Sequence, residues 1–205
     1  PLLNDDSYKI KYNNGKDYIG FFPGSRLSEV KNHLPIINKI IDNMKKKYPG
    51  QKFLISRSSN INKKIYEKYF LNKKNVFIIT NENIYKTIDM CRVAVAASGT
   101  ITLQIALKKI PMCVFYKISS ATFFIIKFLV KIKFISLVNI VLGKKIIEEF
   151  VQNNATVSNI QNEIEKINFD SNYRENLIRN ISCIEKVLLN NSSRTNIYQL
   201  IERLL

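Results

Sequence analysis

Two short stretches of this 205-residue chain have the residue types and spacing for chemistry on an anion. The first, Phe22-Pro23-Gly24-Ser25-Arg26, closes an aromatic and apolar run and opens a long helical pattern. The second, Ala97-Ser98-Gly99-Thr100, follows the apolar run Val93 to Ala97 and also opens a helical pattern. A glycine lets the backbone approach a ligand, hydroxyls donate hydrogen bonds, and an arginine supplies a permanent forked cation. A helix starting there adds unpaired amide hydrogens and the positive end of its dipole. The expected guest is a phosphate, and with two loops a diphosphate shared between them. Taken singly, each loop reads as a capped helix whose Ser or Thr bonds its own backbone. Two such loops at equivalent ends of one sheet shift the reading toward a ligand. Neither is a P-loop, because no Gly-Lys-Ser/Thr is present, and Gly-x-Gly-x-x-Gly is absent too, so triphosphate hydrolysis is disfavoured.

The elements that must carry these loops alternate. Strand patterns cover Tyr18 to Phe22, Lys52 to Ser56, Val76 to Thr80, Val93 to Ala97 and Met112 to Tyr116. Helical patterns cover Ser28 to Tyr48, Ile61 to Phe70, Asn83 to Met90 and the residues after Thr100. In the first helix Val30, Leu34, Ile37, Ile40, Ile41 and Met44 recur at helical spacing, and Pro35 predicts a kink or a short non-helical entry. Apolar strands separated by helices argue a parallel sheet covered on both faces. The expected fold class is therefore α/β, a Rossmann-like parallel sheet with a helical C-terminal tail from about Ser171 onward. In such sheets ligands sit beyond the carboxyl ends of the strands, where both loops fall. The expected organisation is an inter-domain segment over 1–17, the binding domain over 18–168 and the tail over 169–205.

Composition narrows the partners. The net charge is +16, from 32 basic and 16 acidic residues, which suits an anionic partner such as a nucleic acid or a membrane surface. It also suits compositional drift, since 25 of the basic residues are Lys and only 7 are Arg, beside 24 Asn and 32 Ile. Cys91, Cys113 and Cys183 form no close pair and read as free thiols of a reducing compartment. His33 is the single histidine and reads as an ordinary helix residue, so no metal site is expected.

Three blocks carry a resemblance: FFPGSRLSEVKNHLP at 21–35, ASGTITLQIALKKIPMCVFYK at 97–117 and KFISLVNIVLGKKIIEEFVQNNAT at 133–156. In this order and spacing the chain resembles the C-terminal, nucleotide-binding half of lipid-A-disaccharide synthase, a two-domain GT-B glycosyltransferase. The chain accordingly reads as the later part of something longer. The resemblance implies an inverting transfer of diacylated glucosamine from UDP to the 6-hydroxyl of a diacylated glucosamine 1-phosphate, with no metal or cofactor. It places Gly24, Ser25 and Arg26 at the nucleotide diphosphate, Ser98, Gly99 and Thr100 on a second phosphate-side loop, and Asn139 on the donor side of the cleft. It implies a helix-borne Glu149-x-x-Gln152 with Glu149 on the ribose hydroxyls. The general base is expected in the family's other domain, so no catalytic residue is assigned here, and the chain alone is expected to be inactive. Two departures stand out, Gln104 where the family has Glu and Val138 where it has Pro, and both bear on donor affinity.

Residues 121–143 are long and apolar but interrupted by Lys127, Lys131 and Lys133, which argues against a membrane-spanning helix. Two readings stand: a membrane-surface helix in which Phe124, Lys127, Phe128 and Lys131 touch an anionic membrane, or a core helix followed by a strand. The first suits a transferase whose substrates carry acyl chains, and the resemblance implies a peripheral protein on the cytoplasmic face of the inner membrane of a Gram-negative-type bacterium. The resemblance leaves a homodimer open. Competing classes are another UDP-sugar enzyme of this architecture, such as an epimerase or a peptidoglycan-type transferase, and a basic nucleic-acid-binding module. For the last, no helix-turn-helix, zinc finger or RNA-binding aromatic signature is present, and no nucleic acid is expected.

Overall fold

The computed structural model describes residues 17–80, 84–118 and 133–190. Six strands form one sheet: β1 (Tyr18–Phe22), β2 (Lys52–Arg57), β3 (Val76–Thr80), β4 (Cys91–Ala97), β5 (Met112–Tyr116) and β6 (Glu149–Val151). Their order is β3-β2-β1-β4-β5-β6 and every pairing is parallel. This is the Rossmann order, and its reversal lies between β1 and β4. The α/β expectation holds, and the five strands expected from the sequence are present.

The helices are α1 (Leu27–Lys47), α2 (Lys63–Phe70), α3 (Ile84–Asp89), α4 (Ile101–Leu107), α5 (Leu137–Leu142), α6 (Val157–Phe169) and α7 (Ser171–Asn190). Chain direction assigns their faces. β1 crosses to β2 on one side through α1, and β4 crosses to β5 on the other through α4. Right-handed crossovers running in opposite senses put α1 and α4 on opposite faces of the sheet. α6 packs on α1, β4 and β5, whereas α7 packs on α4 and α5.

Local chemistry explains the central elements. The apolar stripe of α1, Val30, Leu34, Ile37, Ile40, Ile41 and Met44, is fully buried, each side chain contributing about 1.5–3 kcal/mol of hydrophobic stabilisation. Pro35 lies inside α1, which runs from Leu27 without the non-helical entry that the proline suggested. The buried stripe on both sides of the proline offsets the helical hydrogen bond that its missing N–H leaves unmade. In β1, Gly20 faces Cys91 so closely that a Cβ would stand 2.3 Å from its Sγ. Cys91 and Cys113 are buried and unpaired, and burial pushes the Cys91 thiol up to about 12, so neither behaves as a nucleophile at neutral pH.

One element departs from expectation. Glu149 to Gln152 is not a helix: Glu149, Phe150 and Val151 form β6, in register with Val114, Phe115 and Tyr116 of β5. Gln152 begins a 3₁₀ turn with φ 50°. Strand pairing satisfies backbone groups at the sheet edge, and that tertiary gain overrides the helical look of a Lys- and Glu-rich segment.

Candidate anion-binding site at the sheet's switch point

Phe22 pairs with Ala96 across β1 and β4, so both glycine loops leave the sheet from neighbouring strands on the same rim. The arrangement places Gly24 and Gly99 after neighbouring strands at one rim, the place where parallel sheets of this order hold their ligands.

The first loop is shaped from below by Glu29. Gly24 has φ 104°, and a Cβ there would lie 2.5 Å from the Glu29 carboxylate, so both conformation and space call for glycine. Arg26 precedes α1 with extended backbone, and its carbonyl accepts from Val30 N at 3.0 Å to close the first turn. Arg26, at the N-cap, does not cap this end of α1 with its side chain. The first-turn amides therefore point outward with the helix dipole behind them. The Arg26 side chain is 78% exposed and donates to Glu29 Oε1 at 3.1 Å, so the guanidinium is oriented yet open to a second anion. Ser25 is exposed beside it.

The second loop is tied down more firmly. Ser98 Oγ donates to the Ile135 carbonyl at 2.5 Å, which fastens the end of β4 to the segment entering α5. Gly99 has φ 146° and nothing near its missing Cβ. Thr102 Oγ1 donates to the Gly99 carbonyl at 2.8 Å, and Thr100 is exposed at the start of α4. Of the two hydroxyls expected to face a ligand, that of Thr100 is on the solvent side, whereas that of Ser98 is engaged with the protein.

Asn139 and Glu149 form a buried knot. Asn139 is fully buried; its Nδ2 donates to the Ile147 carbonyl at 2.9 Å and to Glu149 Oε1 at 2.7 Å. Its Oδ1 accepts from the amides of Ile146 and Ile147 at 2.7 and 3.0 Å. Glu149 also accepts from the amides of Ile135 and Ser136 at 2.8 and 3.0 Å. Asn139 thus spends its full capacity internally, and among the described residues one lone-pair position of Glu149, on Oε2, has no partner. Gln152 pairs both ways with Ile118, its Oε1 accepting from the amide at 3.0 Å and its Nε2 donating to the carbonyl at 3.2 Å. A side-chain amide here copies a backbone strand partner one step past Tyr116 and Val151. Phe124, Lys127, Phe128 and Lys131 lie outside the described residues.

Three residues at this rim make contacts that the sequence does not reveal; from sequence, Glu29 reads only as a complement to the helix dipole. Glu29 is 5% exposed and accepts from both Arg26 and Tyr116 Oη, each at 3.1 Å. Burial and the Glu29 carboxylate both raise the Tyr116 hydroxyl, so it stays a donor. His33 is fully buried, with Nδ1 2.8 Å from the Pro23 carbonyl and Nε2 3.0 Å from the Lys117 amide. Its only signal in the sequence was its place one helical turn after Glu29. Among the described residues no cluster of His, Cys, Asp and Glu could hold a metal, and no helix is long and apolar enough to cross a membrane.

The chain matches the family model for lipid-A-disaccharide synthetase over residues 4–200. It belongs to that family. Lipid-A-disaccharide synthase of Syntrophotalea carbinolica is 32% identical over 83% of this chain and 44% of its own length. The Acinetobacter baylyi enzyme is 32% identical over 86% and 47%, and that of Rickettsia felis 35% over 72% and 38%. The chain thus spans less than half the length of these curated relatives. A solved UDP-GlcNAc 2-epimerase from Neisseria meningitidis, bound to UDP-GlcNAc, has a similar fold, with a TM-score of 0.55 at 16% identity over 85% of this chain and 45% of that one.

Proposed function

We propose that this chain is the donor-binding half of a lipid-A-disaccharide synthase, and that the crevice between β1 and β4 holds the diphosphate of a UDP-linked diacylglucosamine. The observation that carries the proposal is the pairing of Phe22 with Ala96, which brings the Gly24-Ser25-Arg26 loop beside the Ser98-Gly99-Thr100 loop. Family membership supports a hexosyl transfer in lipid A biosynthesis, which this reading takes to be inverting.

In that transfer the 6-hydroxyl oxygen of the acylated glucosamine 1-phosphate acceptor bonds to the donor's anomeric carbon. The bond from that carbon to the diphosphate oxygen breaks, and its electron pair leaves on UDP. The hydroxyl proton passes to a general base in the part of the family's length that this chain does not span. The role left to these residues is to bind the diphosphate and stabilise the charge that grows on it. Arg26 supplies the mobile cation, the first-turn amides of α1 supply fixed donors, and Thr100 supplies a hydroxyl. Glu149 offers the ribose the lone-pair position on Oε2, while Asn139, Gln152 and Ser98 hold the walls. The reaction needs no metal in this reading.

The acylated substrates and the +16 charge fit a protein working at an anionic membrane surface, on the cytoplasmic face of a Gram-negative-type inner membrane. Titration calorimetry with UDP and with uridine tests the site. Saturable UDP binding at least tenfold tighter than uridine binding is expected; equal affinities would remove the diphosphate from the crevice.

A further inference from the structure

β1 and β5 are not neighbours in the sheet, because β4 runs between them. Their carboxyl ends are nevertheless joined, and the joint is made by α1. Glu29 and His33 are four residues apart and so share one face of the helix. Glu29 accepts from Tyr116 Oη at the end of β5, and His33 bridges the Pro23 carbonyl after β1 to the Lys117 amide after β5.

The chemistry of the bridge is fixed by its partners. A backbone amide can only donate, so Nε2 of His33 accepts from Lys117 and carries no proton. The proton therefore sits on Nδ1, which donates to Pro23. The ring is packed against Phe115 and Tyr116, with centroids at 4.6 and 5.8 Å, and is wholly out of water. A neutral imidazole with one donor and one acceptor thus joins two backbone segments that the sheet does not pair, across the crevice that contains the Ser98-Gly99-Thr100 loop.

We infer that His33 is a positioning residue of the diphosphate site: it sets the Pro23-Gly24-Ser25-Arg26 loop at a fixed distance from the end of β5, and thereby pre-organises the loop's donors for the two phosphates. Glu29 with Tyr116 forms the second point of the same staple. The inference rests on the nucleotide reading above and adds to it a residue that touches no ligand. Pre-organisation matters because a loop ordered before binding does not have to be ordered by the ligand.

The test compares UDP and uridine affinities of the full 205-residue chain and three variants by calorimetry. His33→Leu removes both hydrogen bonds, and a UDP affinity about tenfold weaker with uridine affinity unchanged is expected. His33→Gln recovers most of the loss, since a side-chain amide places a donor and an acceptor on one carbon, as the imidazole nitrogens flank Cε1. Tyr116→Phe deletes a single hydroxyl and is expected to weaken UDP severalfold, which keeps the question answerable if His33→Leu does not fold. UDP binding that both His33→Leu and Tyr116→Phe leave intact overturns the inference alone. An equal loss of UDP and uridine binding overturns it as well, by showing general loosening. No UDP binding by the unaltered chain overturns the nucleotide reading and takes this inference with it.

Discussion

Glu149 Oε1 accepts a 2.7 Å hydrogen bond from Asn139 Nδ2, and this contact closes the turn between α5 and β6. Two of the residues that family resemblance assigned to the ligand are thus partners of each other. Asn139→Ala would strand two backbone amides and a carbonyl in a buried place and take one donor from the Glu149 carboxylate. We expect it to lower unfolding free energy by about 2–4 kcal/mol in urea titration. Glu149→Gln should cost about 1–3 kcal/mol, because one oxygen becomes an amide facing other donors. Unchanged midpoints for both variants would show that the knot is not structural.

The glycines of the two loops should respond differently. Gly24→Ala forces a side chain into a φ of 104° and against the Glu29 carboxylate at 2.5 Å, so it should destabilise by about 1–3 kcal/mol and abolish UDP binding together. Gly99→Ala meets open space and carries only the conformational cost of φ 146°, about 1–2 kcal/mol. Thermal melts of the two variants beside UDP titrations separate these effects.

Arg26→Ala removes an exposed side chain whose partner is Glu29, so folding stability should change little. UDP binding should weaken by about 1–3 kcal/mol, the scale of a lost charged hydrogen bond. Calorimetry showing the same affinity in both forms would take Arg26 out of the site.

The strands, the parallel sheet and the loop pair were legible because β1, β2, β4 and β5 are nearly unbroken apolar runs and α1 repeats its apolar residues at helical spacing. Glycine and hydroxyl residues mark both loops. What stayed hidden depends on distance along the chain. His33 has partners ten and eighty-four residues away, and nothing near it in sequence distinguishes a buried bridge from a surface histidine. β6 is three residues long, too short for an alternation to register, and becomes a strand only because β5 lies beside it. Family resemblance places Asn139 on the donor side and carries no information on its bonds to residues 146, 147 and 149 just past the next turn.

Acidification should weaken the fold through His33. Burial lowers its pKa, so the unfolded chain binds the proton more readily than the folded one. The stability this group provides is complete above the unfolded value near 6.5 and is lost progressively as pH falls below it. Glu163 acts in the opposite sense, its carboxyl raised by burial, and so the histidine is read as a difference. Urea midpoints at pH 7.5 and 5.5 should fall more in the unaltered chain than in His33→Gln; parallel drops would mean that His33 is not the titrating group.

The most direct test of the nucleotide site is a titration with UDP followed by backbone amide resonances. The account predicts saturable shifts concentrated at Gly24, Ser25, Arg26, Gly99 and Thr100, with smaller changes at Lys117. Shifts concentrated instead at the opposite rim, in the depression of about 550 Å³ lined by Tyr48, Gln51 and Phe169, or no saturable shift at either loop, would contradict it.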